Sequence, residues 1–180
     1  MLKDMGAVHG RRFGVTGLGP AGLVAVQMAK AEGARTVIGF DLHPERCALA
    51  RRLGAAECHD PRHAAPASKM PRLESAVDCV GAKATVEFLM DRTDDVVALF
   101  GVQREDYVYQ PRHNSRRLCG YRGHSRESAE YALDLVRRGA IDLAPLVTHR
   151  LPLERYAEGI ELLEAQKAIK VCFLPWETCG

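Results

Sequence analysis

The chain has 180 residues, 47% of them hydrophobic and 27% charged, which is the ordinary range for one globular domain with a substantial core. Its 25 Lys and Arg are interleaved with 23 Asp and Glu for a formal net charge of +2, too mild to point to nucleic acid or to a membrane surface. No apolar run reaches membrane-spanning length, and Met1–Met5 does not read as a signal peptide, so the expected location is the cytoplasm.

Short β-branched runs alternate with helical patterns, the signature of βαβ units on a parallel sheet. Arg12–Thr16 is the first expected strand. A helix from about Pro20 to Glu32 follows, with Pro in its first turn and Gly33 as its stop. Leu23, Val24, Val26 and Met28 make it apolar nearly all round, so it should be buried. Thr36–Phe40 is the second strand and ends in Asp41. A helix from Pro44 to Leu53 comes next, closed by Gly54, and a short strand lies near Ala56–Cys58. Pro61, Pro66 and Pro71 break the following stretch, so the crossover helix there is expected to be lost or reduced to a turn.

Ala76–Val80 reads as a fourth strand, Ala84–Met90 as a short helix and Val96–Phe100 as a fifth strand ending in Gly101. Arg117–Tyr121 reads as a sixth strand at a sheet edge. Helices at about Ser125–Arg137 and Leu153–Glu164 and a strand at Ile169–Leu174 close the chain, which reads as a single domain over 1–180. Six cysteines (Cys47, Cys58, Cys79, Cys119, Cys172 and Cys179) are spread out with no C-x-x-C pair, which suggests reduced thiols rather than a disulfide frame or a zinc cage. Cys58, His59 and His63 form the densest mix of potential ligands, but in a proline-broken segment that reads as a loop.

The chemistry-bearing motif is Gly17-Leu18-Gly19-Pro20-Ala21-Gly22. It follows an expected strand, opens an expected helix, and is followed by an acidic residue at the end of the next strand, which are the contextual tests for a dinucleotide-binding loop. Gly17 permits the tight turn, Gly19 lets a pyrophosphate approach the backbone, and Gly22 lets the helix pack close to the strand. The helix N-terminus then faces the phosphates. Asp41 lies 19 residues past Gly22, where its carboxylate can accept from both adenosine ribose hydroxyls. It would repel a 2′-phosphate, so NAD is favoured over NADP.

Those residues, with Ala29–Ala34, Asp41-Leu42-His43-Pro44-Glu45-Arg46 and Ala50–Ala55, resemble the cofactor domain of the zinc-type medium-chain alcohol dehydrogenases. Asp78-Cys79-Val80-Gly81, Leu99-Phe100-Gly101-Val102, Gly139–Asp142 and Thr148–Leu153 extend the resemblance over roughly residues 11–175. It implies a doubly wound Rossmann-type sheet of about six parallel strands with helices on both faces. It also implies that Leu42 and Arg46 join Asp41 at the adenosine ribose. Val80 is placed against the adenine side or nearby ribose, and the backbone of Phe100, Gly101 and Val102 beside the nicotinamide carboxamide. The family pairs sixth strands across a dimer, which implies a homodimer through the edge near Leu118. The segment at about 140–175 matches the part that packs on the family's catalytic domain.

The Gly-His-Glu zinc motif and the four-cysteine lobe of that catalytic domain do not occur in this sequence. No Tyr-x-x-x-Lys pair occurs either, and the spacing gives His43, His113, His124 and His149 no partner, so they read as loop or surface histidines. Arg92-Thr93-Asp94-Asp95 stands where the family has a Pro-Gly-Gly turn. Three readings stay open from these residues: an NAD(H)-binding domain working with a separate catalytic chain, a non-redox binding or scaffold protein on the same fold, and a fragment of a longer dehydrogenase. No catalytic residue and no metal ligand is assigned.

Overall fold

The computed structural model describes all residues except 1–4, 7, 64–68, 71, 122 and 177–180. Pro66, Pro71 and Cys179 therefore lie outside the described residues. The chain divides into two compact units, Met1–Ile141 and Asp142–Gly180.

In the first unit, β1 (Arg12–Thr16) and β2 (Thr36–Phe40) each bury their last four residues. Such continuous burial is what a parallel strand covered on both faces requires. Between them runs α1 (Pro20–Ala31), which buries Gly22, Leu23, Val26, Gln27 and Ala29; Val24 and Met28 are only half-buried. Next come α2 (Pro44–Arg52), β3 (Glu57–His59), β4 (Leu73–Asp78), α3 (Lys83–Arg92), β5 (Thr93–Leu99), β6 (Arg117–Gly120) and α4 (Arg126–Arg137). The strands form one six-stranded parallel sheet in the order β3-β2-β1-β4-β5-β6. This is the doubly wound Rossmann order, which reverses between β1 and β4 and opens a crevice at their carboxyl ends.

One face of the sheet packs Ile38, Phe40, Ala76, Val97 and Leu99 against Val86, Leu89 and Met90 of α3. Phe88 meets Phe40 edge-on, with ring centroids 4.9 Å apart.

The amino ends of the strands carry a net of ion pairs. Asp95 accepts from Arg11 at 2.6 Å and from Arg117 at 3.0 Å, and Asp94 pairs with Arg72 at 2.7 Å. The two carboxylates that replace glycines at the approach to β5 thus tie that strand to β1, β4 and β6. β5 consequently begins at Thr93 rather than Val96. β4 occupies 73–78 rather than 76–80, because Cys79 and Val80 already belong to the turn that closes on Gly81.

In the second unit, β7 (Val147–Pro152) and β8 (Lys170–Leu174) form a two-stranded parallel sheet joined by α5 (Tyr156–Glu164). β7 has no counterpart among the expected elements. Leu146 and Leu151 are buried, and Val171 and Phe173 lie under Gly159, where a Cβ would stand 2.5 Å from the Phe173 ring. Leu143 and Leu153 remain exposed. Among the described residues, no helix is long and apolar enough to cross a membrane.

Candidate functional site

β1 delivers the chain into the glycine loop. Gly17 has φ +78°, a conformation that favours glycine, and its amide donates to the Phe40 carbonyl at 2.9 Å. A Cβ there would lie 2.5 Å from Val80 Cγ2, so the loop and the end of β4 are in direct contact. At Gly22 a Cβ would lie 1.8 Å from the Gly17 carbonyl oxygen; only glycine lets the first turn of α1 sit this close to β1. At Gly19, in contrast, a Cβ would meet no described atom within 4 Å. The space in front of Gly19 is the cradle a bulky anion would fill.

Gly19 is the N-cap of α1, no side chain caps the helix, and Pro20 occupies its first position without an amide of its own. The amides of Ala21 and Gly22 in this first turn therefore suit a phosphate. Leu18 contributes differently from its neighbours. Its side chain is fully buried, and its amide donates to Asp41 Oδ2 at 2.7 Å, so it fixes the loop rather than facing the crevice.

Asp41 follows β2 and is 8% exposed. Its Oδ1 accepts from the His43 amide at 2.9 Å and lies 3.1 Å from His43 Nδ1. Leu42 is about half exposed beside it, and Arg46 is half-buried in the first turn of α2. Asp41, Leu42 and Arg46 thus gather on the β2 side of the glycine loop.

Val80, 44% exposed, follows β4 and stands against the glycine loop at Gly17. Asp78 is fully buried and braces this side, accepting from Thr16 Oγ1 at 2.9 Å and from the Gly81 amide at 2.8 Å. The amides of Phe100 and Gly101 both donate to the Asp78 carbonyl at 2.9 Å, and Gln103 Nε2 donates to the Gly101 carbonyl at 2.9 Å. These bonds use the Phe100 and Gly101 amides and one of the two acceptor directions of the Gly101 carbonyl.

All four histidines left without a partner by their spacing have one: besides His43 on Asp41, His149 Nδ1 lies 3.0 Å from Thr148 Oγ1. His113 is buried; its Nδ1 accepts from the Gln110 amide at 3.1 Å, which leaves Nε2 to donate to Asp91 at 2.8 Å. That pair pins the β5–β6 connection to α3: His113 is a loop histidine as expected, but it is buried and paired rather than at the surface. His124 pairs with the Tyr121 hydroxyl at 2.8 Å, and the Tyr121 ring meets Phe100 edge-on at 5.1 Å. The buried Cys47 and Cys58 thiols contact one another; burial first, and then Cys47, push Cys58 up to about 12. Burial likewise pushes Cys79 up to about 12, with Asp78 adding to it. Both stay protonated and act as packing groups. Among the described residues, no group of three or more His, Cys, Asp or Glu could hold a metal ion.

Comparison with known proteins identifies the family and the fold. The family described as zinc-binding dehydrogenase matches residues 20–138. Sorbitol dehydrogenase of Gallus gallus is 30% identical over 94% of this chain and 51% of its own length. L-threonine 3-dehydrogenase of Rhizobium johnstonii is 27% identical over 87% of this chain and 49% of its own. The chain spans about half the length of the curated relatives it matches. Among solved structures, alcohol dehydrogenase TADH of Thermus sp. ATN1 superposes with a TM-score of 0.86 at 24% identity, over 96% of this chain and 54% of that one. 2R,3R-butanediol dehydrogenase of Bacillus subtilis gives 0.82 at 23% identity, over 97% and 56%.

Proposed function

Because this chain belongs to the zinc-binding dehydrogenase family, we propose that the crevice at the carboxyl edge of its six-stranded sheet is a binding site for NAD(H). The observation that carries this reading is the join between the glycine loop and Asp41, the 2.7 Å bond from the Leu18 amide to Oδ2. It ties the glycine loop to an acidic residue at the end of β2, which supports a phosphate cradle beside a ribose-reading carboxylate. The pyrophosphate lies over Gly19, Pro20, Ala21 and Gly22, with Gly17 and Leu18 setting the turn beneath it. The adenosine ribose lies at Asp41, flanked by Leu42 and Arg46. Val80 lies against the adenine side or nearby ribose, and the backbone of Phe100, Gly101 and Val102 lies beside the nicotinamide carboxamide.

When bound, the dinucleotide supplies a hydride acceptor or donor; this chain binds and orients it. A 2′-phosphate would meet the Asp41 charge, so NAD(H) is preferred over NADP(H). All of these groups lie within residues 17–102, and the segment at about 140–175 is given no part in the site. If the fold takes part in hydride transfer, a separate chain supplies the groups that activate the substrate. Two copies pair through the edge strand β6.

Isothermal titration of the chain with NAD⁺, NADH and NADPH tests the reading. The expected result is micromolar binding of NAD(H) with at least about a tenfold preference over NADPH, or roughly 1.4 kcal/mol. Absence of binding by all three would favour a scaffold role for the fold, and tighter NADPH binding would reverse the cofactor assignment.

A further inference from the structure

Asp41 is held at three points by its own chain. Oδ2 accepts the Leu18 amide at 2.7 Å, Oδ1 accepts the His43 amide at 2.9 Å, and His43 Nδ1 stands 3.1 Å from the same Oδ1. A carboxylate oxygen can only accept, so Nδ1 carries the proton of that third contact. A carboxylate offers about four acceptor directions in all, two on each oxygen. Oδ1 is therefore filled and Oδ2 keeps one. A ribose that offers a hydroxyl to each oxygen needs one direction on each. The His43 ring uses an acceptor direction of Oδ1 that one of those hydroxyls would need.

The ring is also placed to be consequential. Its side chain is 29% exposed, against 6% for that of Asp41, so it lies at the mouth of the corner rather than in the core. It is not needed to close the loop, because both backbone bonds to Asp41 come from main-chain amides. Nor is it needed by α2: His43 is the N-cap of that helix and makes no side-chain cap bond.

We propose that His43 is a specificity-determining residue of the adenosine-ribose corner. Its ring N–H screens the Asp41 carboxylate and competes with a ribose hydroxyl, so the chain discriminates less between a 2′-hydroxyl and a 2′-phosphate than Asp41 alone would enforce. Two effects act in one direction. The ring donor offsets part of the negative field that a 2′-phosphate meets, and it occupies an acceptor site that an unphosphorylated ribose would use. This inference rests on the nucleotide reading above.

The test uses ADP-ribose and its 2′-phosphorylated form, which carry the adenosine ribose without the nicotinamide. Their dissociation constants are measured by titration calorimetry on the full chain, on His43→Ala and on His43→Gln. His43→Ala should bind ADP-ribose more tightly and the phosphorylated form more weakly, widening their ratio by about fivefold, the net worth of one ordinary hydrogen bond. His43→Gln, which retains a donor of similar reach, should fall between and gives the answer if the alanine variant does not fold. A ratio that moves less than twofold in both variants overturns the proposal. So does a ratio that widens only through lost affinity for the phosphorylated form, because that marks a direct contact from His43 to phosphate. If neither ligand binds the unaltered chain, the nucleotide reading itself fails and the proposal falls with it.

Discussion

At the residue scale, two positions of the glycine loop separate folding from binding. Gly22 is required by the fold, since its absent Cβ leaves room for the Gly17 carbonyl 1.8 Å away. Gly19 is required by nothing in the described structure: it has φ −74°, which any residue adopts, and faces open space. Gly19→Val should therefore leave the melting temperature nearly unchanged and abolish dinucleotide binding, whereas Gly22→Ala should lower both. Thermal melts beside a titration with NADH check this, and a destabilised Gly19→Val or a binding-competent one would show that the cradle is misplaced.

Asp41 combines both roles, and two variants divide them. Asp41→Asn keeps an acceptor for the buried Leu18 amide and removes the charge, so it should narrow the preference for NADH over NADPH, while its NH2 group gives up the two bonds from His43. Asp41→Ala should narrow the preference too and also leave that amide unpaired, at a cost of about 1–3 kcal/mol. A preference that survives in both variants would place the 2′ discrimination elsewhere.

At the scale of elements, Asp95 is the joint that aligns β5 with its neighbours. Arg117 first, and then Arg11, hold its carboxyl below the ordinary range, against a smaller opposing effect of burial. A group whose folded value is depressed contributes stability that is present above its unfolded value and lost as pH falls through the folded one. The melting temperature should thus fall on acidification from about pH 4 downward. Asp95→Asn should be less stable at neutral pH and show a shallower acid slope. The contribution is small because the carboxylate is 35% exposed; equal slopes for the two proteins would remove Asp95 from the account.

This joint also shows where the sequence was legible and where it was not. β1, β2 and α1 were readable to within a residue because buried parallel strands and a glycine-bounded helix leave unbroken apolar runs. β5 was placed three residues late because Thr93-Asp94-Asp95 reads as a polar turn, and only arginines from three other strands make it strand. β7 went unseen because Thr148, His149 and Arg150 interrupt its apolar residues. At the site, Gly17, Gly19, Gly22 and Asp41 were legible from local spacing. The His43 ring contact, the use of the Phe100 and Gly101 amides by Asp78, and the His113–Asp91 pair were not. Each depends on side-chain direction or on strands far apart in sequence.

At the scale of the whole molecule, the open question is what covers the edge at β6. The opposite edge, β3, has only three residues, and a very short edge strand offers little to pair with. β6 has four, and β5 satisfies one side of its backbone. Two copies related by a twofold axis could join these edges into one continuous sheet. Leu118 is not the side chain that would seal such a contact, since it packs on its own core beside Val97 and Leu99. The backbone of β6 and the exposed Tyr121 remain to do so. Light scattering at tens of micromolar should give twice the monomer mass.

Gly120 supplies the decisive variant. It is exposed at the end of β6, and a Cβ there would meet no described atom within 4 Å. Gly120→Lys therefore introduces a charge on the edge without crowding the fold, and a lysine on an edge strand opposes pairing with a second chain. It should yield a folded monomer with an unchanged circular dichroism spectrum and undiminished NADH binding. A monomeric parent chain would refute the dimer, and a dimeric Gly120→Lys would move the interface away from β6.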